Sequence, residues 1–273
     1  MNFSVTEYEN LLAMNKFDEA AAYKASFVPN VLYKFVSLGD DVAANEKKFT
    51  SLERGEIWFS SREAMNDPFE FAGIYIDEAK MRDDGWNSDG LARVKETFIN
   101  LVFLASFTSN MSDNLPMWAH YANNHKGYCI KYKVKKKTRI YKVSYSRKRY
   151  PIAHGITRLL LNECMQDDDT IPTEKRESAK IEVRKCVEVL QNAYMIKHVS
   201  WEYENEFRVF CNPILDKQGR NIRAESVGLV PTEVYCGVNC SDEHIEKIRS
   251  ISEKTGLLFH RCGLSKTDYM IID

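Results

Sequence analysis

Residues 127–134 (GYCIKYKV) alternate apolar and polar side chains as a half-buried strand does, and RIYKVSY (139–145) resumes the pattern after a short lysine turn. Two strands this close in sequence leave no room for a crossover helix, so they are expected to pair as an antiparallel hairpin. That pair excludes a purely parallel, doubly wound sheet. Helical and strand patterns interleave irregularly through the rest of the chain. The expected fold class is therefore α+β: a mixed, largely antiparallel sheet core, in one piece or split into two sheets, with flanking helices.

Local signals place most elements. Thr6 and Glu9 stand at capping-box spacing, and Leu11, Leu12, Phe17 and Tyr23 recur near helical period, which predicts a helix over 5–26. Pro29 and Asn30 break it before a strand at 31–37. A helix over 42–54 ends at Gly55, a strand follows at 56–61, and Asn66-Asp67-Pro68 predicts a turn. Residues 77–90 read as a surface loop, 91–101 as a helix and 102–108 as a strand. Asp113 or Asn114 caps a short helix that carries Pro116 in its first turn and ends near His125–Gly127. Helices are expected at 151–166 and 172–197, a strand at 229–238, and a helix over 242–255 between Ser241 and Gly256. With no repeat, low-complexity tract or linker, the expected organisation is an N-terminal helical extension (1–29) and one α+β domain (30–273).

Composition limits the function. The 273 residues include 14 Tyr, 14 Phe and 4 Trp, ample for a substantial core. A formal net charge of −1 excludes a chain-wide polyelectrolyte, so any attraction to nucleic acid must be local. One local concentration exists: ten positions between 131 and 149 are Lys or Arg. It is either a phosphate-binding stripe or an exposed hairpin compensated by the nearby acidic run of Glu163, Asp167, Asp168 and Asp169. The seven cysteines are odd in number and show no paired CxxC spacing, which argues for reduced thiols rather than a zinc site. No segment approaches about 20 continuous apolar residues and no leader is recognisable, so a cytoplasmic protein without a membrane partner is expected.

Three segments carry residue types that chemistry would use. In IWFSSREAMNDPFE (57–70), alternation sets Trp58 and Ser60 on one side of a strand and Phe59 and Ser61 on the other. Asn66 and Asp67 form either an Asx turn or the polar lip of a pocket. In 106–127, Trp118 and Tyr121 are i,i+3 neighbours on a helix, and Tyr121 and His125 are i,i+4 neighbours. His120 and His125 are five apart, a poor spacing for two metal ligands, so no metal is expected; the crowding of His, Asn and aromatic residues points to a ligand-contacting surface. In WEYENEFRVF (201–210), an extended chain projects Glu204, Glu206 and Arg208 to one face. These are either an exposed ion-paired face or carboxylates held among aromatics, able to stabilise a cationic centre or accept a proton.

Taken together, LYKF (32–35), GEIWFSSREAMNDPFEF (55–71), SFTSN with MWAHYANNHKGYCIKY (106–132) and WEYENEFR (201–208) resemble the bacterial family known as domain of unknown function 2971. The order of the motifs is in turn similar to that of ADP-ribosyltransferases, some of which are toxins that modify nucleic acid. That resemblance implies NAD as a substrate, with Tyr33–Lys34 at the first-strand position, Ser60 or Ser61 at the second, and Glu206 as the late glutamate preceded by Glu204. It implies that Glu206 binds a hydroxyl of the nicotinamide ribose and stabilises the oxocarbenium ion as nicotinamide leaves. Trp58, Phe59 or Tyr121 would stack on the nicotinamide, and Tyr33, Lys34 and Arg208 would hold the rest of the dinucleotide. A toxin or anti-phage defence protein, acting on protein or nucleic acid or hydrolysing NAD, is the function implied. The usual His or Arg at the first position is replaced here by Tyr-Lys.

Two readings of other classes stand beside it. A metal-dependent nuclease would need Asp67, Glu70, Glu204 and Glu206 to converge on a divalent ion, with the basic segment 131–149 as its rail. A non-catalytic ligand-sensing or protein-binding module would show Glu206 locked to Arg208 with no open cleft beside it.

Overall fold

The computed structural model describes residues 3–87, 89–93, 102–152, 155–211 and 219–272; residues 94–101 of the expected helix lie outside these. The chain forms two compact units, each gathered from three stretches: Met1–Phe27, Ser61–Phe103 and Lys142–Val199 in one, and Val28–Ser60, Leu104–Tyr141 and Ser200–Asp273 in the other.

In the first unit, the single helix expected over 5–26 is two helices, Val5–Ala13 and Phe17–Ser26. Asn15 takes the left-handed conformation between them at φ 61, which a continuous helix does not allow. The cap is Ser4, whose hydroxyl accepts from the Glu7 amide at 3.3 Å, and not Thr6. The buried faces of this pair hold Tyr8, Leu12 and Ala20. Tyr8 donates to Glu188 (2.6 Å) on the helix Thr173–Leu190, which packs along Gly155–Gln166. Residues 77–90, expected as loop, contain the helix Glu78–Asp83, capped by Asp77. Two small parallel strand pairs complete the unit, 74–76 with 150–152 and 144–146 with 196–198.

Among the described residues the second unit is built on a nine-stranded sheet. Its strands are β1 (Val31–Val36), β2 (Glu56–Ser60), β3 (Phe103–Thr108), β4 (Tyr128–Val134), β5 (Ile140–Lys142), β6 (Glu206–Cys211), β7 (Gly219–Arg223), β8 (Leu229–Cys236) and β9 (Leu258–Arg261). The main path runs β7-β2-β3-β1-β4-β8-β9, and β6 joins from the side by pairing with β3 and β5. All neighbours whose register is resolved are antiparallel except β8–β9, so the sheet is mixed and largely antiparallel, as expected.

The hairpin expected over 127–145 is not formed. Both edges of β4 are taken, Tyr33 facing Lys131 on one side and Glu233 facing it on the other, while β5 pairs with β6. A turn of 3-10 helix at Lys137–Arg139 carries the chain away. On one sheet face the helix Leu115–Tyr121 and its flanks bury Trp118, Met111 and Met117 against Phe35, Cys129, Tyr235 and Cys262. The helix Asp242–Thr255 has the expected ends: Ser241 accepts from the His244 amide and Gly256 is left-handed at φ 76.

Candidate functional site

The residues that looked least structural in sequence divide into distinct environments. Trp118 is fully buried; its indole N–H donates to the Met111 carbonyl at 2.9 Å and its ring stacks on His125 at 5.9 Å, 4° from parallel. This stack is made possible by the backbone after the helix, where Asn123, Asn124 and His125 are left-handed in succession (φ 48, 55 and 66). Three consecutive non-glycine residues in that region are costly individually and persist only where the surroundings impose them. Here Asn123 donates to the Leu38 carbonyl at 2.7 Å, and the His125 amide returns to the Trp118 carbonyl at 3.2 Å. Burial lowers the His125 imidazole pKa. His125 is a packing residue in this arrangement.

Tyr121 points elsewhere, and its hydroxyl donates to Glu204. The two motif segments 106–121 and 201–206 are stitched together by further contacts. Asn114 donates to the Tyr203 carbonyl at 2.7 Å, Asn205 donates to the Ser109 hydroxyl, and the His120 ring lies 6.2 Å from that of Tyr203. Glu204 and Glu206, expected to share one face of a strand, do not. Glu204 closes a 3-10 turn (Val199–Glu204), Asn205 is left-handed at φ 42, and β6 starts only at Glu206. The two residues are 2% and 3% exposed.

Beside them, Arg208 is 1% exposed and donates from Nε and Nη2 to both oxygens of Glu206, at 2.8 and 2.9 Å. Lys34 on β1 donates to the Ser106 carbonyl of β3 at 3.2 Å and lies over the Phe107 ring at 5.3 Å. Burial pulls its pKa down to about 8, against the attraction of Glu206. β3 is thus the common neighbour: β1 brings Tyr33 and Lys34, β2 brings Ser60, and β6 brings Glu206 and Arg208. A charged cluster collected from distant parts of the chain, with the Lys34 amine perturbed by burial, makes these residues a candidate site.

Of the remaining expected contacts, Trp58 is 45% exposed. It lies against Gly219, where a Cβ would come within 2.6 Å of its ring. Phe59 is 0% exposed and belongs to the core, which removes it as a stacking group. Ser61, Asn66 and Asp67 fall in the first unit. Ser61 is buried, Asn66 is exposed, and Asp67 forms the Asx turn, accepting from the Phe69 amide at 2.9 Å. Among the described residues no three His, Cys, Asp or Glu side chains gather as a metal site requires, so the convergence demanded by a nuclease is not found. Among the described residues no helix is long and apolar enough to cross a membrane.

Residues 117–209 match the family model described as Protein of unknown function (DUF2971). The DUF2971 match begins inside the 115–121 helix and ends on β6, so it contains Tyr121, Glu204, Glu206 and Arg208 but neither Lys34 nor Trp58. No curated protein and no solved structure matches the chain.

Two features of the second unit escaped the sequence reading. A cavity of about 520 Å3 is walled by Asp40, Asp41, Asn45 and Lys48 together with His120 and Asn123. Glu204 and Glu206 do not line it. Its first wall is a Gly-Asp-Asp turn, which in sequence signals no more than a helix cap. The other feature is a polar row beside Tyr33: Lys131 donates to Glu233 at 2.7 Å, Tyr235 donates to the same carboxylate, and His260 stacks on Tyr235 at 4.4 Å. Burial works to raise the Glu233 pKa, but the hydrogen bonds from Lys131 and Tyr235 outweigh it and the pKa is lowered. Only cross-strand register assembles this row, which is why no local motif announced it.

Proposed function

We propose that the second unit carries an NAD-consuming site of ADP-ribosyltransferase type, transferring to protein or nucleic acid or hydrolysing NAD. A cytoplasmic toxin or anti-phage role is part of this proposal. The observation that carries it is the gathering of Lys34, Glu206 and Arg208 around β3, with Tyr121 holding Glu204 beside them. The residues fit a dinucleotide in kind. Lys34 supplies a cation for the pyrophosphate, since a pKa of about 8 leaves it mostly protonated at neutral pH. Trp58 offers an exposed ring face for stacking. Glu204, oriented by the Tyr121 hydroxyl, accepts a ribose hydroxyl and stabilises positive charge at the anomeric carbon.

One observation favours a second reading, a binding module without turnover. Both oxygens of Glu206 already accept from Arg208, and both side chains are buried. Each oxygen keeps a second acceptor site, but a glutamate so enclosed has to be uncovered before it contacts a ribose.

The test is a calorimetric NAD titration of wild type, Glu204→Gln, Glu206→Gln and the surface variant Trp58→Ala, with nicotinamide release followed in the same samples. Binding and release by wild type, with release lost in Glu204→Gln, is the result the enzyme reading expects. Binding without release in every sample favours the module. No NAD binding by folded wild type removes both NAD readings.

A further inference from the structure

We propose that the turn joining β4 to β5, with the aromatic pair Tyr141–Phe210 beside it, is a binding surface for single-stranded nucleic acid. This inference is independent of the NAD reading.

Between 131 and 139 the chain has six cations, Lys131, Lys133, Lys135, Lys136, Lys137 and Arg139, and no acid, in a protein of net charge −1. Lys131 is engaged with Glu233. The other five are a different matter: Lys133, Lys135, Lys136 and Arg139 are exposed and Lys137 half-buried, and among the described residues none of the five forms an ion pair. Part of the acidic run expected to compensate them is engaged locally. Asp169 pairs with Arg176, Asp168 bonds its own turn at Thr170, and Glu163 bonds Gln166, all within the first unit.

The turn is also held in shape. The amides of Lys135 and Lys136 both donate to the Gly228 carbonyl, at 2.8 and 3.3 Å, and Arg139 donates to the Ser226 carbonyl at 3.1 Å. Gly228 is left-handed at φ 81 and packs so tightly that a Cβ would come within 2.6 Å of Lys136 Cβ. A fixed display of cations loses less entropy on binding than a floppy one. Glu225 lies on the turn that receives these bonds, and Glu56 faces the exposed Arg223 across β2–β7.

Phosphate attraction alone would suit any polyanion. The aromatic pair narrows it. Two residues past Arg139, Tyr141 on β5 meets Phe210 on β6 at 4.9 Å between centroids, tilted by 51°, and both are half-buried. Unpaired bases stack on such rings, whereas bases inside a duplex are already stacked on one another. The turn has no exposed large apolar side chain to enter lipid.

The probe is a 5′-fluorescein oligo(dT) of roughly 20 nucleotides, long enough to cover one such surface. Anisotropy is read with the full-length protein at about 50 and 200 mM salt, because phosphate contacts weaken steeply over that range. Binding at low salt, reduced about tenfold or more at high salt, is expected. The exposed-site variant Lys133→Glu/Lys135→Glu/Lys136→Glu should lose at least tenfold in affinity while its circular dichroism stays that of wild type. Tyr141→Ala should lose about tenfold, with Tyr141→Phe retaining affinity because the ring suffices for stacking. No binding at low salt, unchanged affinity in the triple variant, or equal affinity for a blunt duplex or for phosphatidylserine vesicles would each overturn the proposal.

Discussion

Arg208 grips Glu206 two residues earlier on the same strand, Nε and Nη2 each meeting one carboxylate oxygen, with both side chains out of solvent. A buried pair of this kind stabilises little in total, yet removing one partner leaves the other charged and desolvated. Glu206→Ala is therefore expected to cost about 3–5 kcal/mol, whereas the double replacement Glu206→Leu/Arg208→Met should recover most of it. Urea denaturation of the three proteins checks this. A small effect of the single variant would mean that the pair is reached by water.

Lys34 makes a prediction about pH. Its folded pKa of about 8 lies below that of a solvated lysine, so the penalty for burying the charged amine is complete below pH 8. That penalty fades as pH rises between about 8 and 10.5, where the unfolded chain holds the proton and the folded one does not. Wild type should thus gain stability relative to Lys34→Met between pH 7 and 10. Side-chain NMR of the lysine Cε and Nζ nuclei across a pH series should show Lys34 titrating with a midpoint near 8, and Lys24, whose pKa is also lowered to about 8, should behave alike.

Tyr121 holds a buried carboxylate. Tyr121→Phe keeps the ring but leaves Glu204 short of one donor, a loss expected to cost about 1.5–3 kcal/mol. Chemical denaturation at neutral pH measures it. An unchanged midpoint would show that Glu204 draws its stabilisation from elsewhere.

Gly127 and Gly237 allow backbones to touch. A Cβ on Gly127 would lie 2.0 Å from the Val36 carbonyl oxygen, and one on Gly237 2.2 Å from that of His125. Alanine at either position has to displace main chain, and a loss of about 3 kcal/mol or more is expected, at the severe end for a single substitution. Equilibrium unfolding of the two variants tests this.

What the sequence disclosed was local. Ser241 and Gly256 bound their helix correctly because a cap and a left-handed terminus depend on a few neighbouring residues. The α+β class followed from interleaved periods. The hairpin at 127–145 was misread because strand partners are chosen over long distances: β4 found better partners a hundred residues away on each side, at β1 and β8. Strict alternation sets Glu204 and Glu206 on one face, but Glu204 ends a 3-10 turn and the left-handed Asn205 separates it from the strand. The segment 117–125 was recognised as unusual, but not that its side chains part company, Trp118 and His125 inward, Tyr121 toward Glu204 and His120 toward the cavity.

The matched block 117–209 is not a piece that could be cut out. It contains β4, but the strands flanking β4 on both sides, β1 and β8, lie beyond its ends, as does β3, which borders β6. Expressed alone, it would present two bare edges of β4 and the Trp118 surface stripped of Phe35 and Tyr235, the kind of sticky, unpaired strand that seeds aggregation. Subcloning boundaries for this protein are therefore best drawn around the whole sheet, from before Val31 to beyond Arg261, and not around the matched stretch alone.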